Sequence, residues 1–373
     1  MKNPRRAPRP KTIRDVARAA GTSVSTVSAA LNNTDYVSSA MRGRIEKAIR
    51  RLHYRPNDLA RSLRLHRTHT LGMVVPDLSN SFYTDLVRGV KDYAGTANYT
   101  LLLGDSREHW DEERTYLDEF HRRRVDGIIR IPAIEAQGGQ AEPLVGNIPV
   151  VFADQFPHAK DRSIGCVGVD NVTAAYDATQ YLLSLGHRRT AIIAGQQKSR
   201  TSADRLEGYR RALRNARVPI DRALVRIGDN TMLSGHREAM EILNLPLSPT
   251  AIFCTNNMMT LGALQAIQEL KLQCPKYVSL LGFDDLNWAT LLRPRLTMVR
   301  QPAREIGMTA AQMLIEHIEG RPQRSAVQRL PTRLMVRDSC APPAASAPRA
   351  GASFTSLPPL QTAKPDPARS CES

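Results

Sequence analysis

The residue types that usually carry catalysis or metal binding are not grouped in this chain. The five cysteines, Cys166, Cys254, Cys274, Cys340 and Cys371, stand singly, with no close pair and no metal-ligand spacing. There is no Gly-rich phosphate fingerprint, no histidine pair at metal spacing and no nucleophile elbow. His187 follows Gly186 and reads as a dipole partner at a helix end rather than a base. No enzymatic activity, metal or cofactor is therefore expected. The basic residues, by contrast, are concentrated. Residues 1 to 70 hold 16 Lys and Arg against four acids, Asp15, Asp35, Glu46 and Asp58, a net +12. Residues 71 to 337 hold 33 against 29, a net +4, and residues 338 to 373 hold three of each. Three quarters of the +16 excess thus lies in under a fifth of the chain. That is the footprint of a polyanion-binding module on a nearly balanced body, with nucleic acid the leading partner. A solvated basic arm accounts for residues 1 to 11, where Lys and Arg alternate with prolines, but not for residues 12 to 65.

The elements that would carry this charge are short helices. Thr12 can cap a first helix with Asp15 as its capping-box acid, and Ile13, Val16, Ala17 and Ala20 share a face until Gly21. Ser23 caps a second helix with apolar positions Val27, Ala30 and Leu31, ending near Asn32. Ser38 caps a third, striped by Ile45, Ala48, Ile49 and Leu52, with Arg42, Arg44, Lys47, Arg50 and Arg51 on other faces. Two helices joined by a tight Gly-containing turn, with a third behind, form a helix-turn-helix, whose second helix enters the major groove. Residues 57 to 64 carry a helix start signal but span about two turns, too few to be stable alone.

From Leu71 the texture changes to apolar runs alternating with helical stretches. Candidate strands are 71–75, 99–104, 126–131, 149–154, 190–195, 251–256 and 278–283. That alternation predicts parallel sheets covered by helices on both faces. At 373 residues, two or three domains are expected, and 42% hydrophobic with 24% charged residues is an ordinary globular balance. From Asp338 onward Pro, Ala and Ser supply 21 of 36 residues, which predicts a disordered tail. Apolar runs such as Leu71 to Val75 fall far short of the roughly 20 residues of a membrane helix. The basic start lacks an apolar stretch after it, and scattered cysteines fit a reducing compartment, so a cytoplasmic protein is expected.

The stretch TIRDVARAAGTSVSTVSAALNN, followed by RPNDLARSL, resembles the headpiece and hinge of the LacI family of bacterial transcriptional regulators. PDLSNSFYTDLVRG, RRVDGIIRIPA, LGHRRTAIIAG, AIFCTNN and GFDDLNWATLLRPRLTMVRQP resemble family signatures in the body, in the family's order and spacing. The resemblance covers residues 12 to about 337 and implies an all-α helix-turn-helix headpiece with a hinge helix, followed by an α/β body. That body would be two doubly wound parallel-sheet subdomains like those of periplasmic binding proteins. The implied division is a basic arm at 1–11, the headpiece at 12–56, the hinge helix and linker at 57–70, and an effector-binding and dimerisation domain at 71–337. Within the last, one subdomain would comprise about 71–169 and 298–328, the other about 170–297 and 329–337. Residues 338–373 would be the tail.

Residue by residue, the resemblance places the base-reading positions on Val24, Ser25 and Ala29. Ala29 departs from the polar or basic residue of many members; a methyl can meet a thymine methyl but cannot hydrogen-bond a guanine. Ser23, Ser28, Asn32 and Ser38 match positions that touch phosphate or base, although Ser23 and Ser38 can serve equally as caps. Leu63 matches the leucine wedged into the minor groove, flanked by Ala60, Arg61 and Arg64. Thr12, Arg14 and Asn57 complete the implied DNA-binding set. The implied effector-binding residues are Phe82, Tyr83, Asp154, Asp170, Thr201, Arg205, Asn230, Asn256 and Asp284. Arg205 and Asp284 are the pair best suited to directed hydrogen bonds with adjacent hydroxyls, or with a carboxylate and an amine. Asn257 stands where many members carry an acid. Trp288 reads as packing.

The function implied is a ligand-responsive regulator, most often a repressor in this family, binding double-stranded DNA at a near-palindromic operator as a homodimer. The resemblance admits sugars, sugar acids and nucleobases as effector, and either release or strengthening of DNA binding. Family tetramers rest on a C-terminal leucine heptad; Leu357 and Leu360 among seven prolines do not make one, so a dimer is expected. The alternative, a soluble sugar-binding protein serving a transporter, would share the body but requires a signal peptide and no basic headpiece.

Overall fold

The computed structural model describes residues 11–31, 37–54, 67–133, 142–156, 164–322 and 325–344. Three helices form the headpiece: α1 (Ile13–Ala20), α2 (Val24–Leu31) and α3 (Ser39–Leu52). The capping box is present, with Thr12 donating from its backbone N–H and its hydroxyl to the Asp15 carboxylate, both at 2.9 Å. Gly21 ends α1 in the left-handed region at φ 63°, where a Cβ is disfavoured. Val16, Ala17, Ala20, Val27, Ala30, Val37, Ile45 and Ala48 close one small core. Two arginines lock the ends of these helices. Arg44 donates to the Ala20 and Gly21 carbonyls at 2.6 and 3.2 Å, and Arg42 to the Ala30 carbonyl at 3.1 Å.

The body has two lobes, each built on a six-stranded sheet. The first sheet contains β1 (Thr70–Val75), β2 (Thr100–Asp105), β3 (Gly127–Arg130), β4 (Val150–Ala153), β5 (Gly165–Val169) and β11 (Val327–Leu330), in the order β11-β5-β4-β3-β1-β2 and parallel throughout. Helices α4 (Ser81–Thr96), α5 (Trp110–Arg122), the single turn α6 (Glu142–Val145) and α11 (Ala303–Ile318) accompany it. The second sheet contains β6 (Thr190–Ala194), β7 (Val225–Ile227), β8 (Ala251–Cys254), β9 (Ser279–Phe283), β10 (Thr297–Arg300) and β12 (Arg333–Met335), in the order β12-β10-β9-β8-β6-β7. Its helices are α7 (Asn171–Ser184), α8 (Arg200–Asn215), α9 (Met232–Leu243) and α10 (Asn257–Glu269). β12 runs antiparallel to β10, so the second sheet is not wholly parallel as the alternation predicts.

Residues buried on both faces of the sheets explain the continuous apolar runs of β1, β3, β4, β6, β8 and β9. Helix pairs pack backbone to backbone through glycine. A Cβ on Gly307 of α11 would lie 2.0 Å from the Leu86 carbonyl oxygen of α4, and one on Gly262 of α10 would lie 2.0 Å from that of Met232 in α9.

The chain passes between lobes after β5, after β10 and after β11. Because β10 pairs with β9 through Thr297↔Leu281 to Val299↔Phe283, the second passage falls at residues 301–302 rather than 298. β11 pairs with β5 over its whole length, moving the third passage from 329 to 331–332. Residues 338–344, assigned to the tail by composition, are bound to the second lobe. Ser339 accepts from Thr297 N–H at 2.8 Å, and its backbone carbonyl accepts from Leu280 N–H at 2.8 Å. The Ser279 hydroxyl donates to the Ala341 carbonyl at 3.1 Å, and His187 joins the same carbonyl at 3.0 Å and the Thr250 hydroxyl at 2.8 Å. His187 is thus a buried clamp on the 338–344 segment, not a helix-dipole partner.

Candidate functional site

Each lobe repeats the strand order 2-1-3-4-5 of a doubly wound sheet, for which ligands gather outside the carboxyl ends of the strands near the point where the order reverses. The carboxyl ends of both sheets face one cavity of about 60 Å³. Asp77 and Asn80 follow β1, Glu108 follows β2, and Asp154 and Gln155 follow β4. From the other lobe come Ser199, Thr201, Ser202 and Arg205 after β6, Asn230 after β7, Asn256 after β8, Asp284 after β9 and Gln301 after β10. Phe82 and Tyr83, on the first turn of α4, complete the wall with their rings 5.2 Å apart.

Arg205 is the hub. Its Nε donates to Asn171 Oδ1 at 2.8 Å and an Nη to the Thr255 carbonyl at 2.6 Å, while its guanidinium lies 3.8 Å over the Phe283 ring and 3.7 Å from the Asp284 carboxylate. Asp284 also accepts from Gln301 Nε2 at 2.6 Å. The two lobes meet directly where Asn257 Nδ2 donates to Asn80 Oδ1 at 2.7 Å. Asn80 and Asn256 each cap the helix they precede, accepting from Phe82 and Met259 N–H at 3.0 and 2.8 Å, which aims α4 and α10 at the cavity by their N-termini.

Three of the lining residues, Asp154, Asn230 and Asp284, sit in the left-handed region at φ 63°, 71° and 68°. Asp and Asn tolerate that region better than other residues with side chains, and its use at three strand ends around one cavity is strain concentrated at a site. Burial pushes the Asp154 carboxyl up to about 7; Arg205 opposes the shift and Asp284 adds to it. Burial raises Asp284 as well, against Arg205 and the Gln301 hydrogen bond. The Tyr83 phenol is held well above its ordinary value by burial and by Asp154, Glu108 and Asp284, so it remains a proton donor.

Of the nine cleft residues expected from the sequence, Phe82, Tyr83, Asp154, Thr201, Arg205, Asn230, Asn256 and Asp284 line this cavity. Asp170 does not: its carboxylate caps α7, accepting from the Thr173 N–H and hydroxyl, both at 2.9 Å, and it is exposed. Its cap uses both carboxylate oxygens, whereas Asn80 and Asn256 cap their helices and still line the cavity. Residues that sequence reasoning missed include Asn80, Gln301 and the supporting Asn171. Asn80 and Gln301 lie inside the motifs PDLSNSFY and LTMVRQP and could have been found there. Asn257 is buried, and its amide bridges the lobes. Trp288 packs on the core of the second lobe.

In the headpiece Arg14, Val24 and Ser25 are exposed, Ser28 and Ala29 half-buried, and Thr12 is committed to the α1 cap. Ser23 accepts from Thr26 N–H at 3.1 Å and Ser38 from Met41 N–H at 3.4 Å, so both act as caps. Asn32, Asn57, Ala60, Arg61, Leu63 and Arg64 lie outside the described residues. No group of His, Cys, Asp and Glu suited to a metal ion occurs among the described residues, and no described helix is long and apolar enough to cross a membrane.

A basic three-helix headpiece ahead of two doubly wound lobes that share a polar cavity defines a regulator class: a DNA-binding module governed by a ligand-binding body. Residues 12–57 match the bacterial regulatory proteins of the lacI family, and residues 179–340 match the periplasmic binding protein-like domain. The chain is 34% identical over 328 residues to the HTH-type transcriptional repressor CytR of Escherichia coli (strain K12), covering 88% of this chain and 96% of that protein. The lac repressor dimer bound to operator and the anti-inducer ONPF superposes with a TM-score of 0.80 at 27% identity, over 89% of this chain and 100% of that one. The complex of transcriptional regulator CelR with cellobiose gives 0.67 at 30% identity, over 88% and 99%. The chain belongs to the lacI family of bacterial regulatory proteins and is a ligand-responsive, DNA-binding transcriptional regulator. The headpiece match disfavours the transporter-linked binding protein, and its relatives are regulators rather than enzymes.

Proposed function

We propose that the chain acts without catalysis in the cytoplasm as a homodimeric repressor on a near-palindromic operator, with a small metabolite held between the lobes setting its affinity for DNA. Val24, Ser25 and Ala29 on α2 read base edges, and Leu63 wedges the centre of the site. Phe82, Tyr83, Asp154, Thr201, Arg205, Asn230, Asn256 and Asp284 hold the effector. The observation that carries this reading is the convergence of those eight side chains, from two sheets and six separate chain segments, on one cavity. At about 60 Å³ that cavity lies below the roughly 300–1,000 Å³ of ordinary ligand pockets, so binding requires the lobes to move apart. Effector and lobe orientation are thereby linked, and lobe orientation in turn governs the hinge segments that lead to the headpieces.

The test is selection of duplexes from random-sequence DNA by the purified full-length chain, followed by affinity measured at two salt concentrations. A near-palindrome with a central C-G step is expected. Binding that only collapses with salt, with no sequence enriched, would overturn the operator reading.

A further inference from the structure

The outer face of α2 determines which feature of a base pair it can read. Val27 and Ala30 are buried in the headpiece core, which turns Val24, Ser25, Ser28 and Ala29 outward. Val24 and Ser25 are exposed, Ser28 and Ala29 half-buried, and Ser25 and Ala29 stand one turn apart on the same face. The eight residues of α2, Val-Ser-Thr-Val-Ser-Ala-Ala-Leu, include no Arg, Lys, Asn, Gln, Asp or Glu. The paired hydrogen bonds that pick out guanine or adenine, and the acid that accepts from cytosine, therefore cannot come from this helix.

The polar groups beside it are committed to the headpiece itself. Arg42 and Arg44, on α3, are turned to the carbonyls of Ala30, Ala20 and Gly21. At the start of α2 three hydroxyls bond one another: Ser23 Oγ lies 2.7 Å from Ser25 Oγ and 2.8 Å from Thr26 Oγ1, and accepts from Thr26 N–H at 3.1 Å. Two of the three hydroxyl protons are used in these contacts, and a hydroxyl that can donate or accept discriminates poorly between base edges. The distinctive groups left on the face are carbon: the isopropyl of Val24, 41% exposed, and the Ala29 methyl. Among the base edges of the major groove, only thymine presents an apolar group to match, its C5 methyl.

We propose that Val24 and Ala29 read the half-site through thymine methyls, and that α2 is indifferent to the hydrogen-bonding pattern of the bases these two residues face. This rests on α2 being the base-reading helix.

The test takes the operator selected from random duplexes by the full-length chain. Each thymine of the half-site is replaced, in both halves at once, by uracil, cytosine or 5-methylcytosine, with the opposite base changed to keep pairing, and affinity is read by fluorescence anisotropy. At the thymines facing Val24 and Ala29, thymine and 5-methylcytosine should bind alike. Uracil and cytosine should bind about 15-fold more weakly, from two lost methyl contacts at about fourfold each. Uracil binding like thymine, with 5-methylcytosine as weak as cytosine, would show that hydrogen bonds are read; it would overturn the proposal and leave α2 as the base-reading helix. A half-site in which every thymine tolerates uracil would do the same. Failure to select any operator would overturn both. In Ala29→Gly the preference for thymine over uracil should vanish at one position and persist at another, and Val24→Ser should show the reverse. Each preference is a ratio taken within one variant, so any loss of headpiece stability cancels. Preferences unchanged in both variants would remove Val24 and Ala29 from the thymines and overturn the assignment.

Discussion

Replacing Arg205 by alanine tests whether the cavity's hub holds the fold as well as a ligand. The side chain is buried, and its loss strands the Asn171 side-chain oxygen and the Thr255 carbonyl and takes the countercharge from Asp284. An orphaned buried acceptor costs about 1–3 kcal/mol. One-sided removal of a buried ion pair costs about 3–5 kcal/mol. Stacking on Phe283 adds up to about 2 kcal/mol when desolvated. These contributions share one guanidinium and overlap. Asp284, whose pKa burial already raises, can also take up a proton and shed its charge. The net expectation is a loss of about 4 kcal/mol, or a melting temperature lower by about 10 °C for lobes of this size. Urea unfolding followed by far-UV circular dichroism should show the midpoint falling at unchanged slope. A loss below about 1 kcal/mol would refute the argument and make Arg205 a ligand contact alone. The corollary is that Asp284→Asn is the cleaner probe of effector response, because asparagine fits the left-handed backbone there and can still accept from Gln301.

Asp154→Asn should stabilise the chain in a pH-dependent way. The folded carboxyl titrates at about 7 against 3.8 in the reference state, so between those values the native state holds a proton the unfolded state has lost. Native stability therefore falls as pH rises through that window, by about 4 kcal/mol at 1.36 kcal/mol per pH unit. The advantage of Asp154→Asn in urea melts should grow from near zero at pH 4 to about 4 kcal/mol at pH 8, and a pH-independent difference would contradict the burial argument. Gly307→Ala should destabilise by about 3 kcal/mol despite alanine's better helix propensity, because its methyl meets the Leu86 carbonyl; a stabilised variant in the same assay would disprove the close approach. A chain ending at Arg337 should melt below one ending at Ala344, by the equivalent of about 3 kcal/mol for the hydrogen bonds of Ser339 and Ala341. Equal melting temperatures would show that the 338–344 segment does not brace the second lobe.

What could be read in advance follows burial. All seven strands announced by apolar runs exist within a residue or two at each end; six of them are buried on both faces, and the seventh, β2, is a half-exposed edge strand announced by its run of three leucines. The strands that escaped notice carry a weaker signal. β7, β11 and β12 sit at sheet edges with exposed or half-exposed residues such as Arg226, Gln328 and Arg333, β10 is an interior strand buried over only Thr297 to Val299, and β5 is Gly-Cys-Val-Gly-Val. A Cβ at Gly168 would lie 3.0 Å from the Asp154 carbonyl oxygen, so the small residue in β5 serves that close packing rather than a hydrophobic pattern. In the cavity, Arg205 and Asp284 were visible only through ordered motifs, since an isolated arginine or loop aspartate is ordinarily a surface residue. Asp170 was misplaced, and Asn171 and Gln301 overlooked, for a common reason. Polar residues beside helix starts can cap, ligate or brace, and sequence spacing does not separate these roles.

The placement of those bracing residues bears on how a ligand can reach the DNA. Asn171, which accepts from Arg205, lies two residues past the end of β5, where the chain first enters the second lobe. Gln301, which donates to Asp284, lies at the second passage, immediately after β10. Asp285 accepts from Arg300 beside that passage, and from Arg337 shortly beyond the third. The Arg205–Asp284 contact is thus fastened at either end to a strand crossing between lobes, and the Asp284–Asp285 pair joins the cavity to the remaining crossing. A ligand that takes over hydrogen bonds from either member must alter the anchoring of the crossings themselves. Interconverting two such arrangements exchanges a few charge-assisted hydrogen bonds, each worth about 1.5–3 kcal/mol, so a net change of a single one matches the roughly 1–3 kcal/mol that couples effector to distant partner in allosteric proteins.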